Sequence, residues 1–247
     1  MQSTGHTKEP VFNIPGVVLG ILALFIALHV FRQYFLTDER STEMLLAWAF
    51  IPARYAGFAD EIPGGQIAKI TSFVTHMLIH ADAVHLAVNS AWFLAFGSAL
   101  SRRMGALRFL AFTVCGGIAG ACLFLAMHPG LAAPVIGASG AVAALMGGVM
   151  RFIFKALDEQ RGYLLREDPG AIPRMTLFAT LTDRRILLSS IVFIAINLSA
   201  MIGIGKLGTV GAIAWEAHLG GYFFGLLAFA LFDIATHKTL LNRTEAE

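Results

Sequence analysis

The sequence predicts an all-α, polytopic membrane protein, a bundle of six transmembrane helices. Three observations carry that prediction. Of 247 residues, 57% are hydrophobic and only 14% charged, whereas a globular domain is about a quarter charged. Mean hydropathy is +0.71. Six separate stretches are each apolar for about the 20 residues a helix needs to cross a hydrocarbon core. A lipid-facing span must satisfy its own backbone hydrogen bonds, so each such stretch is read as a helix. The net charge of +2 points to no nucleic-acid partner, because the Lys and Arg residues gather by loop.

The elements follow in order. Residues 1–12 form a short polar cytoplasmic tail, and a membrane domain runs over 13–236. Its first span, 14–35, begins around Pro15 and is too long for the apolar region of a cleavable signal peptide. A long first loop, 37–81, contains Pro52, Gly64-Gly65 and apolar pieces such as 44–51. Those pieces are too short to span and are read as interfacial or re-entrant. Span two covers 82–101 and span three 106–127. Cys115 and Cys122 lie in span three, about 10 Å apart along a helix, too far for a disulfide. Span four covers 139–157, a charged cytoplasmic loop 158–184, span five 185–203 and span six 213–235; 237–247 is a second cytoplasmic tail.

Orientation follows from the Lys/Arg bias of short connections. Arg102, Arg103 and Arg108 follow span two. Arg151, Lys155, Arg161, Arg166, Arg174, Arg184 and Arg185 surround the connection after span four. The connection 128–138 has no Lys or Arg, and the one after span five has only Lys206. The termini carry Lys8, Lys238 and Arg243. Both termini and the second and fourth connections are therefore expected in the cytoplasm. Arg32, Arg40, Arg54 and Lys69 run the other way, diluted over a long segment. Spans two, four and six then all run from outside to inside. His85 and Asn89 early in span two, Ser139 opening span four and His218 early in span six fall at similar depth, just below the outer surface.

Polar side chains inside membrane spans are costly and mark function. Ser139 sits in Gly137-Ala138-Ser139-Gly140. The glycines leave room for a substrate backbone, and a helix N-terminus offers free N–H groups to a developing oxyanion. His218, in Ala217-His218-Leu219-Gly220-Gly221, is the candidate general base. Gly221 and Gly225 follow on its own face and allow close approach of another helix. Glu216 lies two residues earlier, so on a helix it points about 200° away and cannot orient the imidazole. His85 and Asn89, four apart, share a face with Trp92 next along it, and paired side-chain donors can build an oxyanion hole. Each feature alone also has a plain reading: Ser139 as a helix cap, His218 bonded to a carbonyl, His85 and Asn89 as polar packing. A zinc site at His76, His80 and His85 is set aside, since His76-Met77-Leu78-Ile79-His80 lacks the Glu of a His-Glu-x-x-His motif. No Gly-x-Gly-Asp motif of an aspartyl intramembrane protease is present. Asn197 and Asp233 are read as structural.

Together, Gly137-x-Ser139-Gly140, Ala217-His218-x-x-Gly221-x-x-x-Gly225 and His85-x-x-x-Asn89 resemble the rhomboid intramembrane serine proteases over residues 70–235. The stretch from His80 to Asn89 is similar to the start of that family's second helix. The resemblance implies a six-helix core with a water-filled cavity open to the outer face. It implies Ser139 as nucleophile, His218 as base and acid, and an oxyanion site from His85, Asn89 and the Ser139 backbone N–H. Two positions depart from it. Ala143 stands where some members carry a tyrosine stacked on the catalytic histidine, and Ala53-Arg54 stands where some carry Trp-Arg.

The expected function is a serine endopeptidase of a bacterial inner membrane. It would cleave transmembrane segments of membrane proteins within the lipid bilayer, with no metal and no cofactor. Two other classes compete. A catalytically inactive rhomboid-like protein would bind transmembrane helices, which an intact Ser139 and His218 argue against. A small-solute transporter would place charged residues or broken helices near the midplane, whereas the polar residues here lie toward one face.

Overall fold

A computed structural model describes residues 14–201 and 214–233. The tails at 1–12 and 237–247, and Lys206, lie outside the described residues. Among these residues the regular elements are helices, joined by turns and irregular chain, with one isolated antiparallel bridge between Phe50 and Val135.

Helix α1 runs Gly16–Tyr34. The long first loop then folds into α2, Asp38–Trp48, a 3₁₀ turn Pro52–Ala56, and α3, Ala68–Thr75. None of these pieces is long enough to cross a bilayer, in line with the sequence reading. The Thr37 side chain caps α2 by accepting from the Arg40 N–H. Arg54 is fully buried, and its guanidinium donates to the carbonyls of Leu46 and Ile62. It ties α2 to the stretch that leads toward α3.

Helices α4, Ala83–Met104, and α5, Ala106–Met127, match spans two and three, with Gly105 turning between them at φ +77°. Asp82 caps α4 through its carboxylate and the His85 N–H. Span four is not the single helix expected over 139–157. Helix α6, Ser139–Met150, ends before Arg151-Phe152, and a short α7, Ile153–Asp158, follows. The break centres on Arg151. Arg151 turns back on α6, its N–H reaching the Gly148 carbonyl, while its guanidinium donates to the carbonyls of Leu226 and Met175. The loop 158–184 contains α8, Leu164–Glu167, and α9, Leu177–Thr182. Helix α10, Arg184–Met201, begins with Arg185 donating to Asp158 and Asp183. Those bonds hold both carboxyls below their usual range. The last helix, α11, is Trp215–Phe232.

Among the described residues, α1, α4, α5 and α11 are long and apolar enough to cross a membrane. Their outer faces expose large apolar side chains, such as Leu107 and Leu231, each 84% accessible. The chain is a multi-pass membrane protein.

Helix α6 is the axis of the bundle: every residue from Gly140 to Met150 except Met146 is buried. It lies against α11 at backbone distance. A Cβ on Gly221 would strike the Gly140 carbonyl, and one on Gly225 the Ala144 carbonyl. Small residues at helix contacts are how membrane bundles gain van der Waals packing where no hydrophobic driving force acts. Helix α5 closes the other side, with Gly120 against Ala217, and α1 packs on α4 through Phe25 and Phe93. At the far end Arg103 makes a two-pronged pair with Asp233 at 3.0 and 2.9 Å, both side chains fully buried. The same guanidinium donates to the carbonyls of Pro169 and Ile172. The end of α4, the end of α11 and the loop between α8 and α9 thus meet on one side chain.

Candidate active site

Ser139 is the first residue of α6, delivered by a strap that is pinned on both sides. Phe50 and Val135 exchange two backbone hydrogen bonds, and the Gly137 N–H donates to the His76 carbonyl at 2.9 Å. Gly137 has φ +105°, a conformation L side chains rarely adopt. A Cβ there would also lie 2.6 Å from Nε2 of His85. So glycine is required at 137 by the turn and by the imidazole beside it, and His85 lies against the strap that ends in Ser139.

His218 sits in the first turns of α11. Its Nε2 is 2.7 Å from Oγ of Ser139. The backbone contacts of Gly140 with Gly221 make this approach possible, since two helices carrying larger residues could not bring a serine and a histidine so close. Glu216, buried on the same helix, turns the other way: its Oε1 is 2.5 Å from Nε2 of His128 at the end of α5. Two residues apart on one helix, Glu216 and His218 face different partners.

The second nitrogen of His218 has a partner that the sequence reading missed. Nδ1 is 2.6 Å from Oδ1 of Asn197 on α10. The signal was present, an amide in an apolar run, but nothing in the sequence told which face of the helix it occupied.

His85 and Asn89 are on one face of α4, as their spacing requires. Asn89 is buried; its amide donates one hydrogen to the His85 carbonyl at 2.9 Å and keeps a second. His85 accepts at Nδ1 from the Ala81 N–H, at a long 3.4 Å, which leaves Nε2 as the protonated nitrogen. Each side chain therefore retains an N–H to give. His76 and His80, also singled out in the sequence, are buried beside the site; His76 Nδ1 bonds the Ser72 carbonyl, and His80 packs on Phe25 and His85.

A cavity of about 920 Å³ lies between α4, α6 and α10. Asn89, Ser139, Asn197 and His218 line it, together with apolar side chains that include Trp92, Phe96, Met146 and Val192. The arrangement is a hydroxyl with a base on its proton at the N-terminus of α6, sharing the cavity with the Asn89 amide, while His85 lies against Gly137 on the preceding strap. Such a set can carry out acyl transfer.

The rhomboid domain family model matches residues 68–233, a stretch that includes α4, α6, α10 and α11. No curated protein matches the chain at a significant level.

Proposed function

The chain belongs to the rhomboid family, and from that premise we propose that it is an intramembrane serine endopeptidase acting through Ser139 and His218. The observation that carries the reading is the 2.7 Å contact between Nε2 of His218 and Oγ of Ser139 at the wall of a largely apolar cavity.

In this reading a substrate's transmembrane segment unwinds locally and presents one peptide carbonyl to Ser139. His218 Nε2 takes the hydroxyl proton as Oγ attacks. The oxyanion forms among the Ser139 backbone N–H, Nε2–H of His85 and the free amide hydrogen of Asn89. Donors fixed in place stabilise that charge without having to reorganise. His218 returns the proton to the leaving amine, and water then hydrolyses the acyl-enzyme by the same route. None of these steps calls on a metal or a cofactor.

The same reading takes six spans, with both termini in the cytoplasm of a bacterium and the site toward the outer face of its inner membrane. The Lys/Arg distribution supports it, as does the seating of Asn89, Ser139 and His218 near the N-terminal ends of α4, α6 and α11.

The test is covalent labelling. A fluorophosphonate probe on the detergent-solubilised protein is expected to mark Ser139 alone, and a transmembrane substrate is expected to be cleaved. Ser139→Ala removes both signals. His218→Ala nearly does, and the double variant loses little more than either, because the pair acts as a unit. Labelling of His218→Ala at the native rate would overturn the assignment, and an unlabelled, uncleaving native protein would make the chain an inactive helix-binding relative.

A further inference from the structure

We propose that Asn197 is a positioning residue that fixes the tautomer of His218, so that the helix walling the cavity also sets the catalytic base. The proposal rests on the protease reading and adds a third member to its pair.

The hydrogen bonds determine which way each group faces. Nδ2 of Asn197 donates to the Phe193 carbonyl at 2.8 Å. A carbonyl only accepts, so the amide nitrogen must be on that side and Oδ1 must face His218. Oδ1 only accepts, so Nδ1 of His218 carries the hydrogen. Nε2 is then the bare nitrogen, and it is the one 2.7 Å from Ser139. Remove Oδ1 and nothing distinguishes the two tautomers; the one with its hydrogen on Nε2 cannot take a proton from serine. An oriented imidazole is what the third residue of a catalytic triad supplies, and asparagine fills that place in the Cys-His-Asn proteases. Within a membrane a neutral amide is also less costly to bury than a carboxylate. Asn197 is 6% exposed.

The same face of α10 has two further ties to α11. Ser190 and Tyr222 share a hydrogen bond of 2.6 Å, and Phe193 lies on the Tyr222 ring at 4.8 Å. Residues 190, 193 and 197 form one stripe on α10, opposite His218 and Tyr222 on α11. From α6, Val142, Ala143 and Met146 line the cavity beyond Ser139, and Ala143, one turn on from it, offers only a methyl group. The imidazole is therefore held from α10, and it is correctly set only while α10 is seated on α11.

The experiment compares Asn197→Leu, which keeps the size and removes the acceptor, with Asn197→Asp, which keeps the acceptor. Thermal melting in detergent establishes that each is folded; if Asn197→Leu does not fold, Asn197→Ala takes its place. Expected is a fall in kcat on the order of 10- to 100-fold for the acceptor-free variant, the range seen when the partner orienting a metal-bound imidazole is lost. KM should be unchanged, Ser139 labelling should slow in parallel, and Asn197→Asp should recover most of the loss. An acceptor-free variant within threefold of the native kcat overturns the proposal, and so does an Asn197→Asp no more active than that variant. Native protein and His218→Ala labelled at the same rate would instead sink the protease reading beneath it.

Discussion

The carbonyl oxygen of Gly140 occupies the space into which a side chain on residue 221 would project, and the Ala144 carbonyl does the same to residue 225. Backbone cannot yield there as the end of a flexible side chain could. Gly221→Ala must push α11 away from α6, and with it His218 from Ser139. A displacement near 1 Å in a catalytic contact can cost about 10²-fold. Fluorophosphonate labelling of Gly221→Ala is expected to slow by about that factor in protein that still folds. Gly20→Ala, whose added methyl meets nothing within 4 Å, should label at the native rate.

The paired donors on α4 give a second prediction. Losing one oxyanion donor in a soluble serine protease costs about 10²–10³ in kcat, and two donors that share the charge soften that. Asn89→Ala and His85→Ala are each expected to lower kcat by about 10- to 100-fold with little change in KM, measured on a transmembrane substrate. Native kcat in both would reduce the pair to helix packing.

How much was legible beforehand can be argued from the same residues. Spans one, two, three, five and six have helices close to the expected positions because a long apolar run has few alternatives in lipid. Ser139 and His218 stood out because polar groups in such runs are costly. The break in span four was not legible: it depends on Arg151 finding the carbonyls of Leu226 and Met175, contacts to residues distant in sequence. The partner of Asn197 was hidden for the same reason, whereas the structural reading of Asp233 agrees with its buried pair to Arg103. Hydropathy places a residue along a helix and is silent about its partner around it. Arg103 shows the error in the other direction, since a residue counted only as a loop charge is fully buried against Asp233.

That buried pair should be among the most sensitive places for stability. Asp233→Ala leaves the Arg103 guanidinium in a dry site without its carboxylate. Removing one partner of a buried pair costs about 3–5 kcal/mol, while apolar replacement of both is far milder. Unfolding in detergent is expected to show Asp233→Ala and Arg103→Ala strongly destabilised, and Arg103→Met with Asp233→Leu less so than either.

Glu216 offers a negative control two residues from the base. Its carboxylate is engaged with His128, so it gives nothing to His218. Glu216→Gln keeps a hydrogen bond to His128 and is expected to retain kcat within a few-fold. A collapse of kcat in folded Glu216→Gln would mean that the carboxylate reaches the imidazole during turnover.

The side of the membrane on which the chemistry occurs can be read from two loop positions. Ala132 is exposed in the connection that delivers Ser139, and Arg166 is exposed in the loop between α7 and α9. Ser139 opens α6 and its far end leads into α7, so these positions lie beyond opposite ends of the same helical path. The connection holding Ala132 has no Lys or Arg, while the loop holding Arg166 also carries Arg161 and Arg174; basic loops are retained in the cytoplasm. With Cys115 and Cys122 replaced by alanine, a membrane-impermeant thiol reagent applied to intact spheroplasts should label Ala132→Cys and spare Arg166→Cys. After lysis both should label, which shows that protection came from the membrane and not from the fold. The reverse pattern in intact spheroplasts would invert the topology and place Ser139 and His218 near the cytoplasmic surface, where the substrates would have to be cut from the inner side.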